Sequence, residues 1–100
     1  RDEVIESAIL IAGGHHEKWD GTGYPRGLSG ENIPLDARIM ALADMYDALV
    51  TRRPYKSAWS HDEAIEEIVN KKGIHLDPTV VDAFIAEEDS FKEIANRYRD

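Results

Sequence analysis

The sequence has no cysteine, no long apolar run and no excess of positive charge. Without cysteine, its 100 residues can form neither a disulfide nor a thiolate metal site, which suits a reducing cytoplasm. The longest apolar run, at residues 8–12, is far shorter than the roughly 20 residues that cross a bilayer, so no membrane contact is expected from this segment. A net charge of -8 argues against binding a nucleic-acid polymer, which needs a basic surface. A phosphate ligand would therefore depend on local positive charge from metal ions or a few basic residues.

Apolar periodicity predicts an all-α fold of about five helices, and no alternating strand pattern competes with it. The first helix is expected over residues 3–16, unless Gly13 and Gly14 end it early. A long glycine-rich loop over residues 18–33 follows, and Pro34 suits the first turn of a second helix that runs to about Thr51. The core-facing side of this second helix is predicted to comprise Leu35, Ile39, Leu42, Tyr46 and Leu49.

Capping signals predict where the last three helices begin. Residues 60–63 form a capping box and open a third helix that buries Ala64, Ile65, Ile68 and Val69. Asp77 and Pro78 start a fourth helix. Ser90 is expected to cap a short fifth helix with apolar positions at Phe91, Ile94, Ala95 and Tyr98.

The most informative segment lies at residues 15–25, where two adjacent histidines precede a loop rich in carboxylates, aromatics and glycines. Vicinal histidines are costly to bury without ligands, because each ring has two nitrogens that need partners. The alternative is a surface pair at a helix C-terminus, where an imidazolium is favoured by the helix dipole. The demanding loop that follows favours a ligand site.

The ordered motifs of this chain resemble the HD-GYP family of the HD metal-dependent phosphohydrolase superfamily. The resemblance rests on HHExxDGxGYP at residues 15–25, ADMYDAL at 43–49, RPYK at 53–56 and LDP at 76–78. The His-Asp pair that names the family is expected upstream of His15, and no such pair precedes it here. Residues 1–100 are therefore expected to be the C-terminal part of one HD-GYP domain, a helical-bundle fragment without the upstream half.

The resemblance implies a cluster of two or three divalent metal ions in the complete site, held in part by His15, His16 and Asp44. Iron or manganese is favoured, and nitrogen and oxygen ligands also suit zinc. Asp44 and Asp47 are three residues apart on a predicted helix and share a face. Asp47 either orients a ligand or pairs with Arg38 or Arg53.

The resemblance also implies substrate contacts. Arg53 and Lys56 are expected to bind phosphate, and Tyr24 could stack on a guanine base. Support of the ligating histidines or shaping of the loop is predicted for Glu17, Asp20, Gly21, Gly23 and Pro25. No role is predicted for His61 or His75, and no catalytic residue beyond the metal ligands is expected in this segment.

The implied activity is metal-dependent hydrolysis of cyclic di-GMP to pGpG, GMP or both, with the fragment itself incomplete for catalysis. The alternative is a degenerate or truncated module that binds cyclic di-GMP or another protein without turnover. A plain helical domain without a ligand is the third hypothesis. The family also suggests contact of the GYP loop with diguanylate cyclase (GGDEF) domains and leaves a homodimer open.

Overall fold

The computed structural model describes residues 3–97, excluding the side chains at 91, 92 and 94–96. It contains five α-helices: α1 (Glu3–Gly14), α2 (Leu35–Val50), α3 (His61–Asn70), α4 (Pro78–Ala86) and α5 (Glu88–Arg97). One turn of 3-10 helix, Gly30–Asn32, lies in the loop for which no regular structure is predicted. Residues 3–97 contain isolated β-bridges but no named strand, so the all-α prediction is confirmed.

Side-chain caps fix the starts of α3 and α4 where the sequence predicts them. Ser60 and Glu63 form the reciprocal capping box at the start of α3. Asp77 accepts a hydrogen bond from the backbone N–H of Thr79, and Pro78 occupies the first turn of α4. The prediction for α5 was wrong at its start, because the helix begins at Glu88 and Ser90 lies inside its first turn. The apolar side chains predicted for α5 lie outside the described residues.

The hydrophobic core lies between α2, α3 and α4. Two predicted members of the α2 core face, Leu35 and Ile39, are about half exposed, and Val69 of α3 is too. Small residues on α2 are buried in their place, because they allow the neighbouring elements to approach closely. The buried apolar residues are Ile33, Ala37, Ala41, Leu42, Tyr46, Ala64, Ile68, Leu76, Val81 and Phe84.

Helix α1 packs against the start of α2 through its glycine end. Gly14 is buried, and a Cβ atom built on it would lie 2.9 Å from the Ala37 Cβ. A larger residue at this point would push α1 away from α2, so the small pair sets the position of the chain just before the histidines. The large apolar residues of α1 that remain exposed are Val4, Ile5, Ile9 and Leu10.

A buried ion pair, which the sequence motifs do not predict, joins α2 to the start of α4. The Arg38 Nη1 donates to the Asp77 Oδ2 at 2.7 Å, and the two side chains are 16% and 2% exposed. The Arg38 Nε also donates to the Ile33 carbonyl at 2.9 Å. Arg38 therefore fixes the end of the long loop, the first turn of α2 and the N-cap of α4 in one arrangement.

None of the helices within residues 3–97 combines the length and the apolar character needed to span a membrane.

Candidate metal and phosphate site

The end of α1 fixes the ring orientation of His15. The helix ends at Gly14, two residues earlier than the longer alternative predicts, and the His15 N–H still donates to the Ile11 carbonyl at 2.9 Å. The His15 Nδ1 lies 2.7 Å from that same oxygen. A carbonyl oxygen can only accept, so Nδ1 carries the hydrogen and the Nε2 of the neutral ring keeps its lone pair. This is the arrangement in which a metal-ligating histidine is usually held.

The second histidine lies beside the first because the helix has ended. Within a helix, neighbouring side chains diverge by about 100°, but the His15 and His16 ring centroids are 3.9 Å apart, with the planes tilted by 42°. The His16 side chain is exposed, and its ring stacks on Tyr24 with the centroids 4.9 Å apart and the planes at 14°. Its ring nitrogens form no hydrogen bond within the described chain.

The two carboxylates on α2 have different surroundings. Asp44 is exposed and forms no hydrogen bond or ion pair with any residue in the range 3–97. Asp47 accepts a hydrogen bond from the Thr51 Oγ1 at 3.1 Å, at the last turn of the helix. The suggested pairing of Asp47 with Arg38 was wrong, because Arg38 binds Asp77.

The three predicted metal ligands offer suitable donors, but they do not form a complete site. Within residues 3–97, no three histidine, aspartate or glutamate side chains lie together in a group that could hold a metal ion. The chemistry of the donors fits nitrogen and oxygen ligation, since the His15 Nε2 has a lone pair and the Asp44 carboxylate is unpaired within the described chain. The assignment of His15, His16 and Asp44 to the metal stays a prediction.

Glu17 and Asp20 shape the loop after the histidines. The Glu17 carboxylate is buried, 2% exposed, and accepts from the backbone N–H groups of Arg26 and Leu28, each at 2.8 Å. Asp20 accepts from the hydroxyl and the backbone N–H of Thr22, and these hydrogen bonds, the hydroxyl's foremost, lower the pKa of its carboxyl. Both carboxylates thus bind loop groups rather than a histidine ring.

The predicted glycines and proline lie in this same loop. Gly21 has a φ of 88°, a left-handed backbone conformation that is strained for any residue with a side chain. Gly23 lies directly against the backbone of residues 16–18. Pro25 follows Tyr24 at the turn that leads to Arg26.

The predicted phosphate-binding residues lie opposite each other in a tight turn after α2. The backbones of Arg53 and Lys56 exchange two hydrogen bonds of 3.1 Å, which directs both side chains to the same face of the turn. The guanidinium of Arg53 forms no hydrogen bond or ion pair within residues 3–97. The Lys56 Nζ donates to the carbonyls of Leu49 and Ser57, at 3.4 and 3.2 Å. The neighbouring Arg52 is exposed, whereas Arg53 is half-buried.

His61 has a structural role that its sequence context does not indicate. Its Nδ1 lies 3.0 Å from the Tyr46 hydroxyl, and its Nε2 lies 3.7 Å from a carboxylate oxygen of Glu88. The side chain is 10% exposed. His61 therefore links α2, α3 and α5, and its partners are too distant in sequence for any local pattern to reveal them.

The lowered pKa of His75, the other unassigned histidine, predicts that stability depends on pH. Burial lowers the pKa of His75 below its ordinary value of 6.5, and Lys18 and Lys71 add to the effect while Asp20 opposes it. The unfolded state then binds a proton more readily than the folded state does. The contribution of His75 to the free energy of unfolding is therefore fully present above pH 6.5, and it is lost as the pH falls through the pKa of the folded state. We expect thermal unfolding midpoints measured from pH 7.5 to 5 to fall less steeply in His75→Gln than in wild type. Identical slopes would contradict this assignment.

Comparison with known proteins places these features in a family. The family model described as HD domain matches residues 2–80. The chain therefore belongs to the HD domain family, and the resemblance of its motifs to the HD-GYP branch is confirmed.

Two curated relatives and one solved structure are similar over most of the chain. A probable cyclic di-GMP phosphodiesterase of Vibrio cholerae is 57% identical over 97% of this chain and 22% of its own length. A cyclic di-GMP phosphodiesterase of the same organism is 59% identical over 90% of this chain and 18% of its own length. A crystal structure of the cyclic GMP-AMP-specific phosphodiesterase V-cGAP3 of V. cholerae has a TM-score of 0.67 and 29% identity, covering 92% of this chain and 23% of that one. The chain thus spans about a fifth of the length of the curated relatives that it matches.

Proposed function

We propose that the full-length protein hydrolyses a phosphodiester bond of cyclic di-GMP, giving pGpG, GMP or both, in a metal-dependent reaction. The observation that carries the proposal is the orientation of His15, whose Nδ1 is committed to the Ile11 carbonyl so that Nε2 is available as a ligand. The names of the relatives, at 57% and 59% identity, support the substrate class.

His15, His16 and Asp44 would hold the metal, with the remaining ligands supplied outside the described residues. Two or three divalent ions per complete site fit the nitrogen and oxygen donors, which suit iron, manganese or zinc. The family resemblance favours iron or manganese. When bound, such ions polarise phosphate oxygens and lower the pKa of water. His15 and His16 would contribute nitrogen ligands, and Asp44 would contribute the negative charge that a cationic cluster requires.

Arg53 and Lys56 would bind the substrate phosphates. The Arg53 guanidinium has no competing partner in residues 3–97, and its fork suits two phosphate oxygens. To bind a phosphate oxygen, the Lys56 ammonium would give up its hydrogen bonds to the Leu49 and Ser57 carbonyls. Tyr24 is 61% exposed, and with its inner face on His16 the outer face can stack on a guanine base.

Replacing Arg53 tests the phosphate assignment. We expect Arg53→Gln to raise KM for cyclic di-GMP about 10- to 100-fold, since a hydrogen bond to a charged group is worth about 1.5–3 kcal/mol. Metal content should stay at the wild-type level. The matched control is Arg52→Gln, which removes the same charge from the exposed neighbouring position and should change KM little. Equal effects of the two variants would contradict a direct contact of Arg53.

The second candidate function is binding of cyclic di-GMP without turnover. It is supported by the Arg53 guanidinium, which forms no hydrogen bond or ion pair within residues 3–97 and could bind phosphate without a metal. Labelled cyclic di-GMP distinguishes the two: retention of the intact ligand by the metal-reconstituted full-length protein supports a binding module, and release of linear products supports the enzyme.

The family resemblance supports three further proposals. These are a cytoplasmic location, contact of the GYP loop with diguanylate cyclase domains, and a homodimer.

A further inference from the structure

The loop segment after the histidines folds back onto them. The Tyr24 N–H donates to the His16 carbonyl at 3.2 Å, and the Tyr24 ring stacks on the His16 imidazole. One residue thus contacts both the backbone and the side chain of His16.

The glycine before Tyr24 makes this fold-back possible. A Cβ atom on Gly23 would overlap the His16 carbonyl oxygen and would lie 2.5 Å from the Lys18 nitrogen and 2.7 Å from the Glu17 Cα. Real Cβ contacts are essentially never so short. Only glycine at this position lets the loop lie directly on the backbone of residues 16–18.

Glu17, which directly follows the histidines, also binds the far end of the loop. The buried Glu17 carboxylate accepts the N–H groups of Arg26 and Leu28, the residues just beyond Pro25. The loop is therefore attached at Tyr24 and again at Arg26 and Leu28. A stacked ring on a loop attached at both ends restricts rotation of the imidazole.

We propose that Tyr24 is a positioning residue, which holds the His16 imidazole in the orientation that ligates metal. This inference rests on the proposed function, because it presumes that His16 is a metal ligand. His15 is oriented by a hydrogen bond to the Ile11 carbonyl, whereas His16 has no hydrogen bond from its ring within the described chain. The stack on Tyr24 takes the place of that hydrogen bond.

The test measures Mn²⁺ affinity of the metal-free full-length protein in the absence of substrate. We expect Tyr24→Leu to weaken Mn²⁺ binding about tenfold or more, as loss of a partner that orients a ligand typically does. Tyr24→Phe keeps the ring and should retain wild-type affinity. Leucine is tolerable because the side chain is 61% exposed, and ring-current shifts of the His16 protons in NMR spectra report the stack directly.

A double-variant comparison separates the two proposals. If Tyr24 acts through His16, Tyr24→Leu should weaken Mn²⁺ binding no further in a His16→Gln background. Wild-type affinity in Tyr24→Leu with a raised KM would overturn the positioning role and leave only base stacking. Wild-type affinity in His16→Gln would overturn the assignment of His16 as a metal ligand and the positioning role of Tyr24 with it, whereas the proposed hydrolysis is tested separately by release of linear products.

Discussion

Replacing His16 by glutamine should remove metal and activity together in the full-length protein. Loss of a residue that merely orients a ligand costs about 10- to 100-fold in affinity or activity, so loss of a ligand should lower turnover by more than about 100-fold. Glutamine keeps polarity and approximate size without an imidazole nitrogen. Metal content by mass spectrometry and cyclic di-GMP turnover are the two measurements.

The matched control for this variant is His75→Gln. His75 lies in the turn before α4 and has no predicted ligand role, so metal content and turnover should stay near wild type. Loss of activity in His16→Gln with full metal content would show that His16 contacts substrate rather than metal. Normal values of both quantities would remove His16 from the site.

The largest stability effect is expected from the buried ion pair of α2 and α4. Arg38→Met should lower the free energy of unfolding by about 3–5 kcal/mol, because it leaves the Asp77 carboxylate, 2% exposed, without its cation. The loss should appear as a lower urea midpoint with an unchanged slope in denaturation followed by circular dichroism.

Two further variants check the cause of this loss. Lys72→Met breaks the Lys72–Asp82 pair on the surface, whose side chains are 41% and 64% exposed, and should cost at most about 1 kcal/mol. Arg38→Met combined with Asp77→Asn should be less destabilised than Arg38→Met alone, since asparagine also caps a helix and carries no buried charge. If Arg38→Met and Lys72→Met have equal effects, the buried pair has no special role.

Local sequence signals were sufficient for the parts of the fold that depend on neighbouring residues. The capping box at Ser60 and the Asp77 cap were predicted at the residues where they occur, because each needs partners only two or three positions away. The start of α5 was missed, because only one residue separates Glu88 from the end of α4 and no capping residue marks that start. The predicted core residues of α2 were right at Leu42 and Tyr46 but wrong at Leu35 and Ile39. Burial of Ala37 instead depends on the approach of Gly14 from another helix, which no local pattern on α2 reveals.

For the site, the sequence indicated the residue types but not their partners. The sequence shows three motifs: the vicinal histidines, the glycine-rich loop and the Arg53–Lys56 turn. All three lie within the residues that the HD domain family model matches. The commitment of the His15 Nδ1 to a helix carbonyl and the stack of Tyr24 on His16 are visible only in three dimensions. Both depend on where α1 ends, which Gly13 and Gly14 left open in the sequence.

The sequence by itself determined the family and the all-α class, because these follow from local periodicity, caps and ordered motifs. The side chains for metal and phosphate stay predictions from the same motifs. Only the tertiary structure decided that Arg38 binds Asp77 rather than Asp47, and that His61 connects Tyr46 to Glu88. The Arg38–Asp77 contact joins residues 39 positions apart. A contact over such a separation forms when whole helices pack, so no local pattern encodes it.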